Sequence, residues 1–313
     1  MAYTNFIGDG VSVNGAPLIP GGGTIPLATQ YWYVSSVRGS NGNEGSMDMP
    51  FATIDYAVGK CTAGYSGVIV VLAGHVETVT AAGGLALDVA GISIVGLGNG
   101  RGRPQINFTT AVGASMTVTA ANITVKNVWF SGGFDALTNP IHVQAAGFSL
   151  LDCEYVDVTG QCTNCVLTTA AANRMLISGL RYTGASAAGT NAGIAIVGGD
   201  GIVIDGLVID GNFAVGAIDI RTTATTNLEV RNVIARTRNA ADVIMVDTIT
   251  ASTGTIGPNI YMTLADNAAN FANSIQGATF VYHNPVSIVN LAGEQGGINY
   301  TAVTGFKTQS TNA

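Results

Sequence analysis

The sequence predicts an all-β fold: a right-handed parallel β-helix, a solenoid with coils of about 26 residues, with an extended N-terminal arm. Three observations predict it. First, one strand motif returns as "ITVKNVWFSG" at Ile123, "FSLLDCEYVD" at Phe148, "MLISGLRYTG" at Met175, "IVIDGLVIDG" at Ile202 and "LEVRNVIART" at Leu228. The successive spacings are 25, 27, 27 and 26 residues. Second, another strand recurs midway in each unit, as "IHVQA" at Ile141, "CVLTT" at Cys165, "GIAIV" at Gly193, "AIDIR" at Ala217 and "DVIMV" at Asp242. Third, no helical pattern of ten residues or more intervenes, and barrels or doubly wound sheets need such helices. A period this short cannot close a core alone, so each coil must stack on the last. Handedness follows from the rule that parallel crossovers are right-handed.

The elements follow in order. Residues 1–30 contain three prolines and a "GGG" run and read as the arm. "YWYVSS" from Tyr31 reads as a strand, and "VRGSNGNEGSMDMP" as a polar turn-rich tract. In "FATIDYAVGKCTA" the apolar residues Phe51, Ile54, Ala57, Val58 and Cys61 recur every three or four positions. That spacing predicts a short amphipathic helix near 51–61, placed to cap the solenoid. "GVIVVLAGHVETV" returns to strand character, and "ISIVGLGNG" at Ile92 opens the repeats. "GLGNGRGRP" lacks the Lys-Ser/Thr ending of a phosphate loop and reads as a long turn between coils. The β-helix spans 31–256, and 257–313 reads as a terminal coil, cap or subunit contact.

Within each rung a bend residue that tolerates positive φ is expected at Asn127, Gly179, Gly206 and Asn232, with Cys153 as the exception. Ile202, Ile204 and Leu207 are expected to face inward.

Composition narrows the function. The net charge is -7 with only 12 Lys plus Arg, which leaves no basic patch for nucleic acid. No run approaches the ~20 apolar residues of a membrane-spanning helix. "MAYTNFIGDG" lacks the basic start and apolar core of a signal peptide.

Several residues are candidates for chemistry. Asp205 and Asp210 invite an acid/base reading, but lie in a polar outward register with Lys126, Asp152 and Ser178, which favours a solvated surface. Aligning the midway strands puts His142, Leu167, Ala195, Asp219 and Met245 in one outward column, with His142 and Asp219 three coils apart. At the usual strand spacing that is roughly 14 Å, too far for direct proton transfer. Arg221 beside Asp219 reads as a surface ion pair. Cys153, Cys162 and Cys165 lie within thirteen residues. "CTNC" has the spacing of redox pairs and zinc sites, with His142 the nearest histidine, but buried thiols are the expectation. His75 is read as bonding locally. Tyr31, Trp32 and Tyr33 are read as covering the solenoid end.

The stretch from Tyr31 to about Thr80 resembles the opening of bacteriophage-type parallel β-helix virion proteins. The resemblance rests on "SNGNEGSMDMPFATIDYAVGKC" followed by "GVIVVLAGHVET". It implies a virion structural protein of the capsid decoration or cement type, bound to the major capsid protein on the capsid exterior. It further implies a homotrimer assembled in the host cytoplasm. No enzymatic activity, catalytic residue, cofactor-binding residue or metal ligand is expected, and neither nucleic acid nor membrane as partner. The alternative is a tail-spike or fibre protein that binds, with or without cleavage, a host polysaccharide.

Overall fold

The computed structural model describes residues 30–157, 162–184, 190–220, 222–237, 245–246, 251–264, 275–276, 280–283, 286–290 and 298–299, and four strands before residue 30. It is a parallel β-solenoid with turns of roughly 26 residues. Each coil contributes a strand to each of three parallel sheets. In one coil Thr124–Lys126 lies in the first sheet, Trp129–Gly132 in the second and Ile141–Val143 in the third. The next coil repeats the set with Ser149–Leu151, Glu154–Asp157 and Asn164–Thr168. Register is conserved on all three sides, with Thr124 opposite Ser149, Trp129 opposite Glu154 and Ile141 opposite Val166. Sequence repeat thus becomes a continuous ladder in which every coil contacts only its neighbours.

The corner between the first and second sheets explains the Asn/Gly pattern. Asn127, Asp152, Gly179, Gly206, Asn232 and Asn259 occupy it with φ of 55°, 53°, 69°, 68°, 53° and 62°. This left-handed region favours Gly, Asn and Asp. Gly206 is the bend between Val203–Asp205 and Val208–Gly211, as expected. Cys153 is not the exception it was read to be. The corner residue of that coil is Asp152, and Cys153 sits one position on, buried. The expected register of Asp152 with Lys126 and Ser178 shifts likewise, because Lys126 pairs with Leu151 and Leu151 with Ser178.

Alternation within each strand builds the core. Ile202, Ile204 and Leu207 are fully buried. On the second sheet's inner wall Phe108 stacks on Phe130 with centroids 6.3 Å apart, and Tyr155 on Tyr182 at 5.6 Å. The coil spacing of ~4.8 Å brings successive rungs into contact: Tyr155 and Tyr182 stack as register partners, whereas Phe108 and Phe130 stack diagonally, since Phe130 is opposite Ile106 and Phe108 opposite Gly132.

The amino-terminal end is closed by the helix Ile54–Val58, which buries Ile54, Ala57 and Val58. It is shorter than the 51–61 expectation. Phe51 is held outside it, because its amide donates to the Tyr33 carbonyl (2.8 Å) and ties it to the edge strand Gln30–Val34. Thr53 Oγ1 accepts from the Tyr56 amide at 3.3 Å, and Glu77 Oε2 accepts from the Ile54 amide at 2.8 Å. Two amide groups that a helix start leaves unpaired are thereby satisfied. Thr53→Ala is expected to cost about 1 kcal/mol, read as a lower urea midpoint at unchanged m-value.

Before residue 30 the strands Thr4–Ile7, Gly10–Val13, Ala16–Ile19 and Gly23–Thr24 pair antiparallel in sequence order. The arm's extended segments are therefore paired with one another. Beyond residue 256, Ile260–Leu264, Ile275–Gln276, Phe280–Tyr282, Val286–Asn290 and Ile298–Asn299 continue the three sheets. The "GLGNGRGRP" tract forms a wide first-to-second-sheet corner with one 3₁₀ turn, Gly100–Gly102. Asn127 of the next coil donates to the carbonyls of Gly96 (2.8 Å) and Gly98 (3.0 Å).

Candidate functional site: the outer face of the second sheet

Asp205 and Asp210 belong to one coil but not to one dyad. Asp205 Oδ1 accepts from Asn232 Nδ2 at 2.7 Å, and its Oδ2 from Arg231 Nε at 3.0 Å. These bonds, Asn232 first and then Arg231, hold its carboxyl below the usual aspartate range. Arg231 also bonds Glu229. Asp210 lies beyond the corner, with Arg236 at 3.9 Å. Each aspartate lies on the outer face, and each is engaged by an arginine of the following coil, a pairing the sequence reading does not anticipate. A general acid needs a carboxyl kept protonated. Asp200 and Asp205 both shift the other way; Thr226 and Asn227 cause it at Asp200.

The third sheet separates the other candidates. His142 pairs with Leu167, Leu167 with Ala195 and Ala195 with Asp219, so His142 and Asp219 are three rungs apart. The next partner of Asp219 is Val246, so Met245 belongs one position earlier than expected. His142 bonds Gln144, and burial lowers its pKa. Arg221 lies outside the described residues. His75 bonds within its own turn, with Nε2 3.1 Å from Glu77 Oε2.

Cys153, Cys162 and Cys165 are free and buried, as expected. Two of them border a polar core cluster that sequence reading did not single out. Asp157 Oδ1 accepts from Tyr155 Oη at 3.0 Å, and Oδ2 from Tyr182 Oη at 3.0 Å and the Cys162 amide at 3.4 Å. The Cys162 thiol is 3.5 Å from the same oxygen. Burial raises the Asp157 pKa and pushes the Cys153 thiol up to about 12. The signal was present in "EYVD": Glu154 and Val156 share one face, so Tyr155 and Asp157 must share the other.

Sequence reading also missed an apolar stripe on the second sheet's outer face. Register places Val208, Ile234 and Tyr261 on three consecutive rungs. Ile234 is 55% exposed and Tyr261 49%. Alongside runs the column Asp210, Arg236 and Thr263. Around the corner stand Asp205, Glu229, Arg231 and Asn232, and Asn259 donates to Asn232 at 2.8 Å. In a chain with only 10% charged residues, this concentration of ion pairs beside exposed apolar side chains is distinctive. Large exposed apolar patches rimmed by polar groups are where interaction sites occur, which makes this face the candidate.

No protein-family model matches the chain, and no curated protein matches its sequence. Among solved structures it is similar to a rhamnogalacturonan lyase, at 16% identity and a TM-score of 0.45, over 76% of this chain and 74% of that one. Pectin methylesterase PemA from Erwinia chrysanthemi is similar at 12% identity and a TM-score of 0.38, over 86% and 85%. A GH136 lacto-N-biosidase from Eubacterium ramulus is similar at 11% identity and a TM-score of 0.38, over 83% and 67%. At these identities the likeness is one of fold.

Two expectations are corrected by this finding. The resemblance at the amino-terminal end implies a capsid decoration protein without enzymatic activity. The structures it is similar to are a lyase, an esterase and a glycosidase, and no phage protein stands among these three. The physical reason is where the resemblance lay. It rested on Tyr31 to about Thr80, which forms the edge strand, the capping helix and the first two strands of the following coil. Those elements solve the problem of closing a solenoid end, whatever the solenoid does.

Proposed function

We propose that the protein binds a polysaccharide along the outer face of its second sheet, as a tail-spike or fibre of this fold would. The observation that carries this reading is the Val208–Ile234–Tyr261 stripe beside the Asp210–Arg236 and Asp205–Arg231 pairs. Sugar rings present apolar C–H faces and hydroxyl edges together. A half-exposed tyrosine and isoleucine can receive the faces, while carboxylate, guanidinium and amide groups receive the hydroxyls. Rungs ~4.8 Å apart lie at about the length of a sugar unit, so a chain lying along the solenoid axis meets Val208, Ile234 and Tyr261 at successive steps.

Charge selects among glycans. Arg231 and Arg236 are engaged by Asp205, Glu229 and Asp210, Arg181 adjoins Val208 at the end of the stripe, and the whole chain is acidic. A neutral, hydroxyl-rich polysaccharide therefore fits better than a polyanion.

Affinity electrophoresis through gels containing neutral or acidic polysaccharides tests the proposal. Retardation by a neutral polymer is expected. Tyr261→Ala should weaken it about ten-fold or more, a loss of roughly 1–2 kcal/mol, with thermal stability nearly unchanged. Equal retardation of wild type and variant, or none in any neutral polymer, would sink the reading. Reducing ends or unsaturated products measured on the same mixtures report cleavage.

A further inference from the structure

The outer face of the first sheet changes character along the solenoid. In the two outward columns its middle rungs carry Thr124 and Lys126, Ser149 and Leu151, Leu176 and Ser178, all half-buried. Its amino-terminal rungs carry Tyr31 and Tyr33, Val68 and Val70, then Ser93 and Val95, with Leu72 continuing the apolar patch. These point away from the solenoid core, since Ile69 and Val71 of the same strand belong to it. Yet Val68 is only 2% exposed and Val70 only 1%. Among described residues, their hydrophobic neighbours are side chains of the same sheet face. Flanking side chains of one flat face do not seal a valine from water, so a layer must lie over it. This burial occurs within a single chain, so the chain supplies the layer itself.

Residues 4–24 meet the requirements for that layer. Their four strands, of two to four residues each, form a small antiparallel sheet. A sheet this small is not stable in water without an apolar surface to pack on. The segment 1–29 carries a single charged residue, Asp9, and is otherwise rich in Val, Ile, Leu and Pro. Only residues 25–29 separate Thr24 from the edge strand that begins at Gln30. Five residues reach at most roughly 17 Å, enough to cross the ~10 Å between packed sheets but too little to reach a distant face.

We propose that the antiparallel sheet of residues 4–24 packs face to face on the outer side of the first sheet's amino-terminal rungs, closing a second small core around Val68 and Val70. The terminal segment is then an integral lid on its own solenoid. It also shields the Gln30–Val34 end of the first sheet, where strand pairing stops and another chain could add.

The test places a photo-reactive benzoyl-phenylalanine at Tyr33, on the same face, in the full-length protein. After irradiation at low protein concentration, denaturing electrophoresis separates intrachain from interchain products, and peptide mass spectrometry locates them. Monomer-mass products joining position 33 to peptides from residues 4–24 are expected. Dimer-mass products would overturn the proposal in favour of a second copy. Products confined to the first sheet, or no product, would overturn it outright. A second measurement uses Val70→Glu, which buries a charge between the two layers. Proteolytic cleavage within residues 1–29 should become about ten-fold faster while far-ultraviolet circular dichroism of the coils is retained. Unchanged cleavage in a folded variant would contradict the packing.

Discussion

Phe130→Ala is expected to destabilise the solenoid by about 3–5 kcal/mol. Phe130 is fully buried and pairs in register with Ile106 on one side and Tyr155 on the other. Its ring lies nearly parallel to that of Phe108, at an interplanar angle of 13°. Removing it empties a site that the fold cannot refill. The coils above and below are fixed by ladder hydrogen bonds on three sides, and no mobile layer can settle into the gap. A denaturation series followed by circular dichroism measures the loss. Ile234→Ala is the control. That side chain projects from the same sheet but outward, so its removal should change stability by less than about 0.5 kcal/mol. Comparable losses in the two variants would mean that the inner and outer faces of the second sheet have been assigned the wrong way round.

This contrast shows what was legible in the sequence. The repeat could be read because each coil must present apolar residues at the same places, and Ile202, Ile204 and Leu207 do so without ambiguity. Legibility failed where alternation is blurred. In "FSLLDC" the adjacent leucines allow two phases, and pairing between coils, not local pattern, turns Leu150 in and Leu151 out. One position of slip moved the corner from Asp152 to Cys153. The candidate site was hidden for a related reason. Ile234 and Tyr261 look like core residues in a scan for apolar character, and only their parity relative to Val233, Ala235 and Ile260 reveals that they face water. The Asp205 and Asp210 pair was legible as surface, but its engagement with Arg231 and Arg236 depends on which rungs adjoin.

Asp157→Ala is expected to cost about 1–3 kcal/mol for each buried donor it orphans, beginning with the Tyr155 hydroxyl and the Cys162 amide. Asp157 is 7% exposed, and its inward equivalent in the preceding coil is Gly132. A methyl group at Gly132 would collide with the Tyr155 hydroxyl and the Asp157 carboxylate, so the glycine makes the space in which the cluster closes. Titration separates the carboxyl's charge from its hydrogen bonding. Burial raises the folded-state pKa of Asp157 above the ordinary aspartate value of 3.8. Between those two values the folded state binds more proton than the unfolded state, so stability must fall as pH rises. The contribution is fully present below the ordinary value and is gone above the raised one. Asp205 acts in the opposite sense and in a different window. Its folded pKa is depressed, so its stabilisation is present above the ordinary value and is lost as pH falls through the depressed one. Subtracting the stability profile of Asp157→Asn from that of the wild type isolates the first effect. The difference should slope downward with pH above 3.8 and then level off. A flat difference, or one that rises with pH, would show that burial among Tyr155, Tyr182 and Cys162 does not raise the pKa of the Asp157 carboxyl.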